Sequence, residues 1–357
     1  MRRKPRITDV AERAGVSTAT VSYVLNNVAG ARVAPTTRQR VRTAANEVGY
    51  RPNTLARSLR TRRTHMIGFV SDDVATSPFA SEMIRGAQEV ARRAGYMLLL
   101  VNADHNDAMQ DEVVHALLQR QVDGVVYATM YHQVVEVPAE LASIPHVLLD
   151  CRPRTGGGSY VVPDERGGAT AVVSELLAAG HRRIGHTTDR LDSPAAGMRL
   201  VAYREALKQA GIRFDSKLVV AEDPDHVGGW RAAGRLLDGP RPPSALFCFN
   251  DRMAAGAYRA AAERGLHVPR DLSVVGFDDQ PWVAEALWPG LTTAALPHRA
   301  MGEWALSTLL KQVERGHPSG DAVVMPCELI RRSSVGPPRS DTPPKRLRAM
   351  GAAGEDT

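Results

Sequence analysis

The stretch Ile7–Asn27, ITDVAERAGVSTATVSYVLNN, decides how the rest of the chain is read. Thr8 and Asp9 offer side-chain oxygens to the orphan amides of a helix start. Val10, Ala11 and Ala14 then recur at helical spacing and form a packing face. Gly15 ends that helix, where a residue without Cβ can take the left-handed conformation. Ser17 caps a second helix, with Val21, Val24 and Leu25 inward and Thr18, Ala19, Ser22 and Tyr23 outward. Two short helices joined by a glycine-bearing turn make a helix-turn-helix, whose second helix is sized for the major groove. On this stretch alone an ordinary helical hairpin is the alternative.

Charge around that stretch narrows the choice. Residues 1–63 hold fourteen Arg and Lys against three acids (Asp9, Glu12, Glu47), a surplus of eleven. The whole chain carries +6, so the remainder is net −5. A basic head on a mildly acidic body suits a module that binds a polyanion, attached to something that does not. The 357 residues exceed one comfortable core, so two or three folding units are expected. No apolar run is long enough to span a bilayer, so no membrane partner is expected. The basic start Met1-Arg2-Arg3-Lys4-Pro5 has no apolar segment behind it, which argues against a signal peptide. Three widely spaced cysteines, Cys151, Cys248 and Cys327, fit neither a disulfide framework nor a metal cluster and suit a reducing cytoplasm.

Outward from the opening stretch, Pro35 suits the first turn of a third helix running to about Val48, packed through Val41, Ala44, Ala45 and Val48. Gly49 ends it, and Asn53 can cap a short helical segment, Thr54–Arg60. Two turns of helix are marginal alone, so this segment needs a partner to fold. From His65 strands and helices alternate. Strands are expected at 66–70, 97–101, 124–127, 146–149, 184–186, 218–221, 245–249 and 273–277. Helices are expected at about 80–94, 109–119, 168–179, 199–210, 227–237, 252–264 and 300–314. Such alternation means parallel sheets covered on both faces, here two lobes with a cleft, and ligands in such folds sit at the carboxyl ends of the strands. Residues 336–357 are rich in Pro, Gly and charge and read as a disordered tail.

DVAERAGVSTATVSYVLN (9–26) followed by GYRPNTLARSLRTRRT (49–64) resembles the lactose/galactose-repressor (LacI/GalR) family of bacterial transcription regulators. LLAAGHRRIGH (176–186), FNDRMAAGAYRAAAERGLHVPRDLSVVGFDD (249–279) and LTT (291–293) extend the resemblance over about residues 6–335. It implies an α/β protein with an N-terminal all-α helix-turn-helix headpiece and hinge helix, then a two-lobed periplasmic-binding-protein-like body of parallel sheets. The implied divisions are 1–50 (headpiece), 51–64 (hinge helix and linker), 65–335 (effector-sensing and dimerisation body) and 336–357 (tail).

The resemblance also implies roles. Thr18, Ala19 and Tyr23 sit where the family reads base edges, and Thr8, Ser17, Thr20, Ser22 and Asn26 where it contacts phosphates. Hydroxyl and amide groups suit phosphate oxygens, which position a protein on DNA without reading sequence. Tyr50, Asn53, Ala56, Arg57, Leu59 and Arg60 complete the DNA-binding set, with Leu59 as the apolar wedge of the hinge helix. Tyr23 stands where the family commonly has Arg, so the base sequence of the operator is not carried over. Asp72, Phe79, Asp150, Arg199, Asn250 and Asp278 fall at effector-pocket positions, at strand ends or a helix start. Their chemistry suits a polyol: Arg199 as a donor fork, carboxylates as acceptors and an aromatic ring for an apolar sugar face. Pro224 stands where relatives often carry an aromatic ring.

The function implied is a cytoplasmic, homodimeric transcriptional repressor of carbohydrate-related genes. It binds a pseudo-palindromic operator in double-stranded DNA and is released or tightened by a small-molecule effector, a sugar or sugar derivative. An activator or dual regulator with an effector such as a nucleoside is the alternative; a solute-binding protein is disfavoured by the basic head. No nucleophile elbow, phosphate loop, dinucleotide fingerprint or metal-ligand spacing is found, so neither an enzyme nor a cofactor is expected. Gly156-Gly157-Gly158 lacks the Lys-Ser/Thr of a phosphate cradle, and His181 and His186 read as structural. The tail has no leucine heptads, so a tetramer is not expected.

Overall fold

The computed structural model describes residues 5–26, 30–51, 63–72, 81–103, 107–191, 193–317 and 319–339. The expected hinge segment, with Asn53, Ala56, Arg57, Leu59 and Arg60, lies outside the described residues, as do Phe79 and residues 340–357. The chain divides into two units, Met1–His65 and Met66–Thr357.

Among its described residues, the first unit has three helices, α1 (Ile7–Ala14), α2 (Thr18–Leu25) and α3 (Pro35–Val48). Val10, Ala11, Ala14, Val21, Val24, Val41, Ala44 and Ala45 form its core, all at the expected helical spacing. Gly15 and Gly49 end α1 and α3 in the left-handed conformation, φ 63° and 68°. α1 starts earlier than Thr8 would have it: Arg6 holds the cap position and its N–H donates to Asp9 Oδ2 at 2.7 Å. Thr8 is therefore inside the first turn and exposed.

The second unit has two parallel sheets. The first lobe uses β1 (Met66–Ser71), β2 (Met97–Asn102), β3 (Gly124–Val135), β4 (His146–Pro153), β5 (Ser159–Pro163) and β11 (Ala322–Met325), in the order β11-β5-β4-β3-β1-β2. Every pairing in it is parallel. Helices α4 (Ser81–Ala94), α5 (Asp107–Gln119) and α10 (His298–Arg315) belong to this lobe. The second lobe orders β7 (Val219–Glu222), β6 (Ile184–Asp189), β8 (Ala245–Cys248) and β9 (Ser273–Val275), again all parallel. Its helices are α6 (Glu165–Ala178), α7 (Pro194–Gln209), α8 (His226–Leu237) and α9 (Asp251–Ala262). A short antiparallel pair, β10 (Thr293–Ala295) with β12 (Glu328–Ile330), lies where the chain passes between lobes. Each sheet is buried on both faces, by clusters around Phe69 and Leu148 in the first lobe and Leu246 and Phe247 in the second.

The structure corrects several boundaries. β3 continues past Tyr127 to Val135, with its register shifting between Ala128 and Gln133. α6 and α7 begin earlier than their apolar periodicity suggests, because Asp164 and Ser193 cap them. β5, β10, β11 and β12 carry no readable pattern at three to five residues each. Residues 336–339, read as the start of a loose tail, are held to the second lobe: Gly336 N–H donates to Ser273 Oγ at 3.0 Å, and Arg339 pairs with Asp271.

Candidate functional site

In the first unit, α2 presents its outer face to solvent. Thr18 and Ala19 are exposed and Tyr23 is 44% exposed, while Val21 and Val24 on the opposite face are buried. Ser17 caps α2 by accepting from Thr20 N–H at 3.2 Å, and the Ser17 and Thr20 hydroxyls lie 3.0 Å apart. Asn26 Nδ2 donates to Ser22 O at 2.9 Å and to Ser22 Oγ at 3.2 Å. The polar groups that flank Thr18, Ala19 and Tyr23 are thus pre-set in pairs by the helix itself. Arg38 stiffens the approach to α3, donating to the carbonyls of Ala31 and Val33 at 2.9 and 3.2 Å. Tyr50, grouped above with the DNA-contacting residues, is half-buried and packs partly against the core of these helices.

In the second unit, four of the six expected pocket residues meet. Asp150, Arg199, Asn250 and Asp278 line one cavity between the lobes, together with His132, Glu165, Phe249 and His298. The cavity holds about 20 Å³, room for a single water. Asp72 does not line it; it is buried in a neighbouring groove, where Gln133 Nε2 approaches its carboxylate at 3.5 Å.

Arg199 lies in the second turn of α7, not at a helix start, because Pro194 and Ser193 set the beginning. It is 3% exposed. Its Nε donates to Glu165 Oε2 at 2.6 Å, its Nη1 donates to the Phe249 carbonyl, and Nη2 faces Asp278 Oδ1 at 3.5 Å. The rings of Phe249 and Phe277 cover it at 4.4 and 3.7 Å. The guanidinium is raised in pKa by Glu165 and Asp278 despite a large opposing effect of burial. In this structure the Arg199 guanidinium is thus held by protein acceptors and aromatic rings.

Asn250 caps α9, accepting from Met253 N–H at 2.8 Å and donating to the Pro224 carbonyl at 3.0 Å. Asp278 accepts from Gln280 Nε2 at 2.7 Å and is pushed up to about 6 by burial, against the pull of Arg199. Asp150 adopts φ 59°, and its Oδ1 has no hydrogen-bond partner among the described residues. Burial and then the nearby Glu165 carboxylate push its pKa well above the usual carboxylate range. His132, 3% exposed, has no partner on either ring nitrogen among the described residues, and burial lowers its pKa to about 4, so it is neutral.

Sequence reasoning missed His132 and Glu165. His132 lies in the part of β3 that follows the register shift, and Glu165 is thirty-four residues from Arg199, so no local pattern joins either to the site. His181 and His186 are buried structural groups, as read. His181 bonds Ser244 and Ser273 through opposite ring nitrogens at 2.9 Å each. His186 stacks on Phe247 with centroids 4.5 Å apart.

Residues 6–53 match the lacI family of bacterial regulatory proteins, and residues 173–335 match the periplasmic binding protein-like domain. The chain is 36% identical over 307 residues to the ribose operon repressor of Escherichia coli (strain K12), covering 85% of this chain and 92% of that protein. It is 34% identical to the HTH-type transcriptional regulator DegA of Bacillus subtilis (strain 168), over 94% of this chain and 99% of that one. Among solved structures, the lac repressor dimer bound to operator and an anti-inducer superposes with a TM-score of 0.78 at 27% identity, covering 94% of this chain and 100% of that one.

Proposed function

The chain belongs to the lacI family of bacterial regulatory proteins, and on that premise we propose that it is a homodimeric operator-binding repressor controlled by a small polyhydroxylated ligand. The observation that carries this reading is the outer face of α2: Thr18, Ala19 and Tyr23 stand exposed on a helix whose other face is locked into a basic three-helix unit. In this reading they touch base edges, and Thr8, Ser17, Thr20, Ser22 and Asn26 position the helix on phosphates. Residues 1–50 form the headpiece, 51–64 a hinge that orders on DNA with Leu59 as its wedge, and 65–335 the sensor. The ligand enters between the lobes, against Asp150, Asp278 and His132. A cavity of about 20 Å³ does not hold a sugar ring, so the lobes must part to admit one, which ties ligand binding to a change in the body. The protein binds this ligand without turning it over.

Selection from a pool of random duplexes, followed by fluorescence anisotropy, tests the DNA half. It should return a pseudo-palindrome. Tyr23→Ala should then weaken that site about tenfold or more while leaving random-sequence DNA within about twofold, since one base contact is worth about 1–3 kcal/mol. Equal loss on both duplexes would remove Tyr23 from base reading. D-ribose is the first probe for the ligand half, because a relative is a ribose operon repressor.

A further inference from the structure

We propose that the cavity between the lobes selects its ligand by charge: it takes a polyhydroxylated molecule that is uncharged or bears an amine, and rejects sugar phosphates and sugar acids. This rests on the reading of the cavity as the effector site. Among the described lining residues, Asp150, Glu165 and Asp278 are acidic and Arg199 is the only Arg or Lys. Arg199 offers an anion little. Its Nε, Nη1 and Nη2 already face Glu165, the Phe249 carbonyl and Asp278, and two aromatic rings cover it.

Helix N-termini are the other common lure for a phosphate. α6, α7 and α9 all begin at this wall, with Glu165, Ala195 and Asn250 among its lining. Each is closed by its own cap: Gly167 N–H donates to Asp164 at 2.8 Å, Ala196 N–H to Ser193 at 3.2 Å, and Met253 N–H to Asn250 at 2.8 Å. The α6 cap adds a further carboxylate.

What the cavity does offer is hydrogen bonding to neutral or cationic donors. Among the described residues, Asp150 Oδ1 and both nitrogens of His132 are buried without partners, on side chains 2% and 3% exposed. Buried polar atoms left unmatched are costly, and ligand hydroxyls would satisfy them: a hydroxyl at Asp150 Oδ1, one donor and one acceptor at the neutral imidazole. An ammonium group would do the same at Asp150 while offsetting the surplus of Glu165 and Asp278 over Arg199. A phosphate or carboxylate would enter against that surplus. One uncompensated like charge at about 6 Å, in an effective dielectric of about 20, corresponds to about a hundredfold in affinity.

The test uses the full-length protein in calorimetric titrations with matched probes: D-ribose, D-glucose, D-galactose, D-glucosamine, their phosphate esters and the corresponding uronic acids. The best binder should be a neutral or amino sugar, with its phosphate ester about a hundredfold weaker. Asp278→Asn, which removes one charge at nearly constant shape, should narrow that gap at least fivefold. If this variant fails to fold by circular dichroism, Glu165→Gln serves the same purpose. A phosphate ester or uronic acid binding within tenfold of its parent, or more tightly, overturns the charge rule and leaves the cleft standing as a sugar site. If no probe in the panel binds, the sugar reading of the cleft itself falls, and the charge rule with it.

Discussion

Arg199 shows how one residue's type and its surroundings can lead to different conclusions. As a residue type in a binding-protein fold it reads as a ligand clamp. In place, it is enclosed by Glu165, Asp278, the Phe249 carbonyl and two aromatic rings. Deleting it strands Glu165 and Asp278, whose side chains are 2% and 12% exposed, beside Asp150, whose pKa burial and Glu165 already raise. Breaking a buried pair by removing one partner costs about 3–5 kcal/mol. Arg199→Ala should therefore lose about that much stability in urea unfolding, and the double variant Arg199→Met/Glu165→Gln should recover most of it. A single variant no less stable than the parent would mean that the clamp contributes nothing to folding. Loss of ligand binding in Arg199→Ala alone would not distinguish contact from collapse, so His132→Phe is the cleaner probe of recognition. It should weaken the best sugar at least tenfold with little loss of stability, as it removes two buried atoms that have no protein partner. Asp150, Arg199, Asn250 and Asp278 could be picked out from the chain, whereas His132 and Glu165 could not. Their division into clamp and contacts was not legible either, because that depends on which of them packing across α6, α7 and β3 brings within reach of one another.

At the scale of elements, what could be read were the long helices, and what could not were the short edges. Helices α3, α8 and α10 announce themselves by apolar spacing over a dozen or more residues. β10 and β12 are three residues each and exist only because the chain passes between the lobes there. Close helix packing was equally silent. A Cβ built on Gly302 in α10 would lie 2.0 Å from the Met83 carbonyl oxygen in α4, and one on Gly86 in α4 would lie 2.1 Å from Arg299 O. Backbone cannot yield as a side chain can, so Gly302→Ala should destabilise the body by about 1–3 kcal/mol, read by urea unfolding. A neutral result would mean that α4 and α10 slide freely. His186 gives a pH signature of the second sheet. It is fully buried between β6 and β8, and burial depresses it from 6.5 to about 4. Above pH 6.5 neither state is protonated and nothing is lost. Between pH 6.5 and about 4 the unfolded chain takes up a proton that the native imidazole refuses, so stability falls as pH falls, by at most about 3 kcal/mol from this residue. His186→Phe should flatten the decline in melting temperature between pH 7 and 5; an unchanged slope would assign the acid sensitivity elsewhere, with His132 the next candidate.

For the whole molecule, the constraint is how little one headpiece can read. Its α2 has eight residues, and the groups on its outer face are hydroxyls, an Ala methyl and one phenol, none of which makes the paired hydrogen bonds by which Arg reads guanine. The body must therefore contribute by bringing a second headpiece to the same duplex. Joining two weak readers turns the second contact into an intramolecular one and raises affinity by factors of about 10²–10⁴ with no new contact. If the proposed homodimer is the working unit, an operator with one half-site scrambled should bind at least a hundredfold more weakly than the intact pseudo-palindrome at the same salt concentration. Light scattering should also report about twice the 38.7 kDa chain mass in the absence of DNA. A loss of only about twofold would mean that the headpieces act independently, and twice that dimer mass would mean that two dimers associate. Salt gives an independent measure of the same geometry. With fourteen Arg and Lys in residues 1–63, two headpieces on one duplex should displace counterions from both half-sites, so log affinity should fall against log salt about twice as steeply on the intact operator as on the half-scrambled one. Equal slopes would place a single headpiece on the DNA.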